Sequence, residues 1–171
     1  MIIRHAVASD SSALTCLAEQ TFRDTFAIGS SPSDLQQFCE KNYRSDIQLQ
    51  EIKDPNMVTI LVENEGKLAG FAQVRLISSK EGLSGVRQSE LSRLYVSNEW
   101  QGRGVAHKLM AEVLSSVAQV KSECLWLGVW ENNPRAIAFY QKYDFTIVGE
   151  HIFTVGTDPQ RDLIMGLQLD D

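Results

Sequence analysis

The residues best suited to chemistry lie between 101 and 106, where the chain reads Gln101-Gly102-Arg103-Gly104-Val105-Ala106. Here an alternating apolar stretch gives way to a helical one. Glycine permits positive φ and close backbone approach. The first N–H groups of a helix lack partners within it, and the helix dipole favours negative charge at that end. Gln101, Gly102, Arg103, Gly104, Val105 and Ala106 thus form a candidate cradle for a phosphate-like anion. The same glycines equally suit a plain strand-to-helix turn. Dinucleotide and P-loop patterns fit less well, because His107 stands where Gly-x-Gly-x-x-Gly needs its third glycine and no Gly-Lys-Ser/Thr follows.

Further along, Asn133, Ala136 and Tyr140 are spaced i, i+3 and i+7 and share one helical face. An amide, a small residue and a phenol in a row would line a groove for an extended ligand. Asn133 precedes Pro134 and also suits a helix N-cap, while Tyr140 also suits half-buried packing. Glu90 opens the strand before the cradle. Simple alternation places it on one face with Ser92, Leu94 and Val96, either as a solvated strand-end carboxylate or as a base.

The elements that must hold these residues follow from hydrophobic period. Ile2–Val7 reads as a strand, and Ser9 or Asp10 can cap a helix with the stripe Leu14, Leu17, Phe22 and Phe26. Pro32 opens a second helix carrying Leu35 and Phe38, and Ser45 or Asp46 a third, closed at Asp54-Pro55. Met57–Val62 and Leu68–Ile77 form a hairpin about Asn64-Glu65-Gly66, and Glu90–Val96 is a further strand. A helix from about Arg103 to Gln119, a strand Leu125–Trp130 and a helix from Asn133 to Tyr143 come next. Strands Phe145–Val155 and Leu163–Leu169 close the chain. Hairpins mixed with two strand–helix–strand crossovers predict a mixed sheet with helices on both faces, an α/β (more closely α+β) domain spanning 1–171.

Composition narrows the partners. With 43% hydrophobic and 22% charged residues in 171, the chain can fill a core and is not disordered. Its longest uncharged apolar run, Cys124–Trp130, falls far short of the ~20 residues of a membrane span. The N-terminus lacks a signal-peptide pattern, so the expected compartment is the cytoplasm. A net charge of −6 disfavours nucleic acid and suits a cationic ligand. Cys16, Cys39 and Cys124 read as reduced, mostly buried thiols. With His5, His107 and His151 equally scattered, no metal site is expected.

Two of these blocks together resemble the GNAT superfamily of N-acetyltransferases. Gln101-x-x-Gly104-x-Ala106 matches its Arg/Gln-x-x-Gly-x-Gly/Ala signature, and Asn133, Ala136, Tyr140 and Phe145 match its Asn-x-x-Ala-x-x-x-Tyr-x-x-x-Gly-Phe pattern. Asp144 replaces the glycine of that second pattern. Thr21–Phe26, Trp126–Glu131, Val148–His151 and Asp162–Met165 look like the bacterial spermidine/spermine acetyltransferase branch, the PaiA type.

The resemblance implies the GNAT fold, a mixed and mostly antiparallel sheet of about seven strands, with acetyl-coenzyme A as cosubstrate and no metal. It implies that Gln101–Ala106 hold the pyrophosphate, that Leu94, Tyr95 and Val96 receive the thioester, and that Asn133 contacts the cofactor. Tyr140 would protonate the leaving thiolate, and Glu90 would act as a water-mediated base. The amine would attack directly, with no covalent enzyme intermediate. The implied acceptor is a primary amine, a polyamine such as spermidine or spermine. A protein N-terminus, an amino acid or a non-catalytic acyl-CoA-binding role are the alternatives. A homodimer is the expected assembly on general frequency.

Overall fold

The structure, a computed structural model, describes residues 1–169. β1 (Ile2–His5) pairs with β2 (Met57–Asn64), β2 with β3 (Lys67–Arg75) and β3 with β4 (Gln88–Val96), all antiparallel. β4 lies parallel to β5 (Cys124–Trp130), and β5 is antiparallel to β7 (Asp158–Gln168). β7 pairs on its other side with β6 (Thr146–Val155), giving one seven-stranded sheet of order β1-β2-β3-β4-β5-β7-β6. The mixed, mostly antiparallel sheet expected from the sequence is present.

Helices cover both faces. α4 (Val105–Gln119) buries Val105, Leu109, Met110, Val113 and Val117 against Ile60, Val62, Ala72 and Val74, and α5 (Pro134–Gln141) adds Tyr140 to that core. Each fully buried aliphatic side chain contributes about 1.5–3 kcal/mol. On the opposite face, α1 (Ser11–Phe26) and α2 (Pro32–Asn42) pack Leu14, Phe22, Phe26, Leu35 and Cys39 over Leu61 and Phe71. α3 (Ser45–Lys53) lies on that side too, through Ile52 and the buried Gln48.

One irregularity governs the site. Gln73 pairs with Arg93 but Val74 pairs with Leu91, so Ser92 is an extra residue in β4, a β-bulge. A bulge shifts the alternation by one. Glu90 therefore shares its face with Arg93 and Tyr95, and not with Leu94 and Val96 as simple alternation predicts. The shifted Arg93 meets Glu51 of α3 at 2.6 Å and Gln73 at 2.5 Å, with its guanidinium over the Tyr43 ring.

Other differences from the sequence reading are local. Asp10 does not cap α1 with its side chain; its carboxylate takes two bonds from Arg4 and one from the Val7 N–H. Neither Ser45 nor Asp46 caps α3, whose cap residue is Arg44. α4 starts at Val105 rather than Arg103, and β7 is longer than expected because it forms a long hairpin with β6. Cys16 is exposed, whereas Cys39 and Cys124 are buried.

Asp144 adopts φ 64°, the left-handed conformation that its family glycine would supply. An L-residue is strained there, Asp less than most. Asp144→Gly should therefore raise the unfolding free energy by up to about 1 kcal/mol, read from the urea midpoint at unchanged slope.

Candidate active site

β4 and β5 share only the partners Gln88–Cys124, Ser89–Leu125 and Glu90–Trp126. Past the bulge they part, and a cleft of about 640 Å³ lies there. Leu94, Tyr95 and Val96 line it from β4, while Asn133, Ala136 and Tyr140 line it from α5 and its cap. Strand N–H groups alternate in direction. The Ser97 N–H bonds Ala69 O of β3, so those of Leu94 and Val96 point the other way, towards the gap. They are unspent donors in the cleft wall, suited to polarising a carbonyl.

Gln101 and Ala106 line the same cleft. Gly102, Gly104 and Val105 line an adjoining hollow of about 180 Å³, to which Val96, Gln101 and Ala106 also belong. Gly102 (φ 75°) and Gly104 (φ 80°) both need the left-handed region, and Gly104 is the N-cap of α4. A Cβ added at either would meet nothing within 4 Å, so backbone conformation, not crowding, selects glycine. The Gln101 amide donates to Val96 O at 3.1 Å and Asn98 Oδ1 at 3.0 Å, and its oxygen receives Arg135. Arg103 lines neither hollow; it is exposed and stacks 5.2 Å over Trp100. His107 and Arg135 line the adjoining hollow, and an open helix end of this kind suits a phosphate-like anion.

Asn133 is the N-cap of α5 and stands at the cleft. Its Oδ1 accepts from the Ala136 N–H at 3.1 Å, capping α5, and the residue also lines the cleft. Tyr140 is buried, packed on Phe139 and Phe145, and desolvation holds its phenol well above the usual tyrosine range. It keeps its proton at neutral pH and can donate it.

Glu90 does not line this cleft. Its Oε2 accepts from Ser78 Oγ at 2.8 Å, with Arg75 at 4.0 Å. Two acids of the α1–α2 layer differ in place: Asp34 ties α2 to the β6–β7 turn through Thr157, whereas Asp24 lines the cleft and accepts from Asn98 Nδ2 at 2.9 Å.

The sequence reading missed Asp162 and Ser92. Both line a smaller cavity of about 120 Å³ beside the cleft, shared with Tyr140, Tyr95 and Trp130. Asp162 Oδ1 and Ser92 Oγ are buried without hydrogen-bond partners among the described residues. Burial pushes the Asp162 carboxyl up to about 6. The available signal was one acid at the head of the apolar run Leu163-Ile164-Met165.

The profile of the Acetyltransferase (GNAT) family matches residues 19–145. The chain is 30% identical over 149 residues to an uncharacterized N-acetyltransferase of Lactobacillus delbrueckii subsp. lactis, covering 87% of this chain and 86% of that protein. It is also 30% identical, over 87 residues, to the spermine/spermidine N(1)-acetyltransferase of Bacillus subtilis (strain 168), covering 50% of this chain and 57% of that one. A crystal structure of PaiA N-acetyltransferase from Thermoplasma acidophilum in complex with coenzyme A superposes with TM-score 0.80. Its sequence identity is 20%, and 98% of both chains are covered.

The cap predicts a separable stability effect. Asn133→Ala should cost about 1 kcal/mol of unfolding free energy, and Asn133→Asp should recover most of it, as measured by urea denaturation.

Proposed function

The chain belongs to the Acetyltransferase (GNAT) family and is an N-acetyltransferase, and from that premise we propose that its acceptor is a polyamine such as spermidine or spermine. The observation that carries the chemistry is the single cleft lined by Tyr140, Asn133, Ala136 and the free N–H side of β4. Gln101–Ala106 would hold the pyrophosphate of acetyl-coenzyme A, and Asn133 and Ala136 would flank its arm. When bound, the thioester supplies an activated acetyl group.

The chain's own residues then have defined tasks. The N–H groups of Leu94 and Val96 donate to the carbonyl oxygen as charge builds on it. Tyr140 gives its proton to the departing sulfur, and no cysteine needs to act as a nucleophile. The partial likeness to the Bacillus spermine/spermidine enzyme, the acidic composition and Asp24 in the cleft support a polycationic acceptor. Glu90, off the cleft and bonded to Ser78, would reach the amine only through water.

Three measurements test this. Coenzyme A should raise the melting temperature of the wild type, and Gly104→Val, which puts a β-branched residue at φ 80°, should abolish that rise. Tyr140→Phe keeps the ring packing and should lower kcat by roughly 10²-fold with coenzyme A binding unchanged. Acetylation of an amine panel should favour spermidine and spermine, with their KM rising with ionic strength. Rapid acetylation of a peptide N-terminus beside inert polyamines would overturn the acceptor assignment.

A further inference from the structure

Resting on the acetyltransfer reading, we propose that Asp162, assisted by the Ser92 hydroxyl, is the catalytic residue that receives the acceptor's ammonium group and takes its proton. The need is plain. An amine with pKa ~10.4 is neutral in only about one molecule in a few thousand at pH 7, and only the neutral form attacks. A base must therefore stand at the nitrogen, within the site.

Asp162 has the geometry for it. The residue is only 7% exposed, yet Oδ1 has no hydrogen-bond partner among the described residues. Buried acceptors without partners are rare in folded proteins, so each one needs a reason. Ser92 Oγ is a second such atom on the same cavity, and the bulge that re-aims β4 is what puts Ser92 there. Two orphan acceptors on one small cavity match a group that brings several N–H donors, and an ammonium brings three. Tyr140 lines that cavity too, so proton acceptor and proton donor border one space.

The backbone beside the carboxylate reaches solvent on the same face. Gly128 of β5 is exposed, and a Cβ placed on it would stand 3.2 Å from Asp162 Oδ2 and 3.5 Å from His151 Cε1. Glycine lets the carboxylate lie this close to the exposed β5 backbone, and any Cβ there would crowd Oδ2.

The charged neighbours leave Asp162 without a committed partner. His151 Nε2 of β6 is 3.9 Å from Oδ2, but desolvation and the nearby Lys80 hold the imidazole below its ordinary range, so it is neutral at pH 7. Arg93 of β4 is committed to Glu51 and Gln73. Glu90 and Tyr95 of β4 and Tyr140 of α5 complete the titratable surroundings. A carboxyl titrating at about 6 is ionised at neutral pH yet more basic than an ordinary aspartate.

The step balances. Asp162 Oδ1 takes one ammonium proton, and the freed lone pair on nitrogen forms the C–N bond while the C–S bond breaks. The sulfur takes the Tyr140 proton, and the second proton leaving nitrogen restores Tyr140. Asp162 returns its proton to water, so one proton is released per turnover.

The variant is Asp162→Asn, which keeps shape and removes charge. Its melting-temperature rise with coenzyme A should equal that of wild type, confirming a folded cofactor site. Spermidine binding, by calorimetry with coenzyme A present, should weaken at least 10-fold, and kcat/KM should fall by roughly 10²-fold. In wild type, kcat/KM should rise with pH through a step near 6, and carboxyl NMR should show Asp162 titrating there. In the variant that step should vanish and the rate should climb towards the amine's own pKa. Above pH 6 the variant should be no less stable than wild type, because wild type loses stability as Asp162 ionises between its ordinary value of 3.8 and about 6 and the amide does not. An unchanged kcat/KM and an unchanged step near 6 would overturn the inference while leaving acetyl transfer intact. A wild type that neither binds coenzyme A nor acetylates any amine overturns the underlying reading and this inference with it. If Asp162→Asn does not fold, Gly128→Ala decides: a raised spermidine KM with an unchanged coenzyme A response supports the site, and an unchanged KM refutes it.

Discussion

The site depends on the parting of two strands. β4 and β5 are paired through only three residue partners, after which the sheet opens and backbone donors that would have been consumed by pairing are left free. Parallel neighbours normally continue to satisfy each other's N–H and C=O groups, because an unpaired buried backbone group is costly. Here the bulge at Ser92 twists β4 away, and Arg93, driven into the opposite face, is held there by Glu51 and Gln73. That ion pair is well shielded, so removing one partner would strand a buried charge. The buried Glu51–Arg93 contact therefore does more than stabilise α3 against the sheet. It holds the strand in the bulged register, and so keeps the gap open for a ligand that supplies the missing hydrogen bonds.

Charge is distributed to match the two substrates that meet in this gap. The chain is acidic overall, yet Arg135 lines the hollow at the open helix end beside Gly104. Elsewhere Asp162 is buried on the cavity it shares with Tyr140, Glu90 is held off the cleft by Ser78, and Lys80 sits beside His151. Tyr140 and the β4 strand border the space between these two groups of residues.

Much of this was legible in the sequence because local rules and tertiary structure agree. The stripe Val105, Leu109, Met110, Val113 and Val117 is buried as its period requires, and the Gln101–Ala106 turn uses both glycines in conformations that only glycine adopts easily. Asn133, Ala136 and Tyr140 fall on one face because eight helical residues leave no room for a shift in phase. The face of Glu90 could not be read, since a bulge inserts one residue and reverses every side chain before it, and Ser-Arg after Leu91 carries no signature of that insertion. Helix caps failed where a stronger partner competed: Asp10 turned to Arg4, which offers two charge-assisted bonds instead of one backbone amide.

Asp162 was hidden for a different reason. A single acid at the head of an apolar strand reads as solvated, and in isolation most are. Its character comes from residues far away in sequence: Gly128, which omits a side chain beside it, His151, which burial keeps uncharged, and Ser92, which the bulge carries into the same cavity. None of the three would be chosen to stabilise the fold. An arginine at 151 would pair the carboxylate, and any side chain at 128 would crowd it. Three separate positions that all leave one carboxylate unsatisfied are simplest to understand if something else satisfies it in use, and an ammonium group has the charge, the size and the donors to do so.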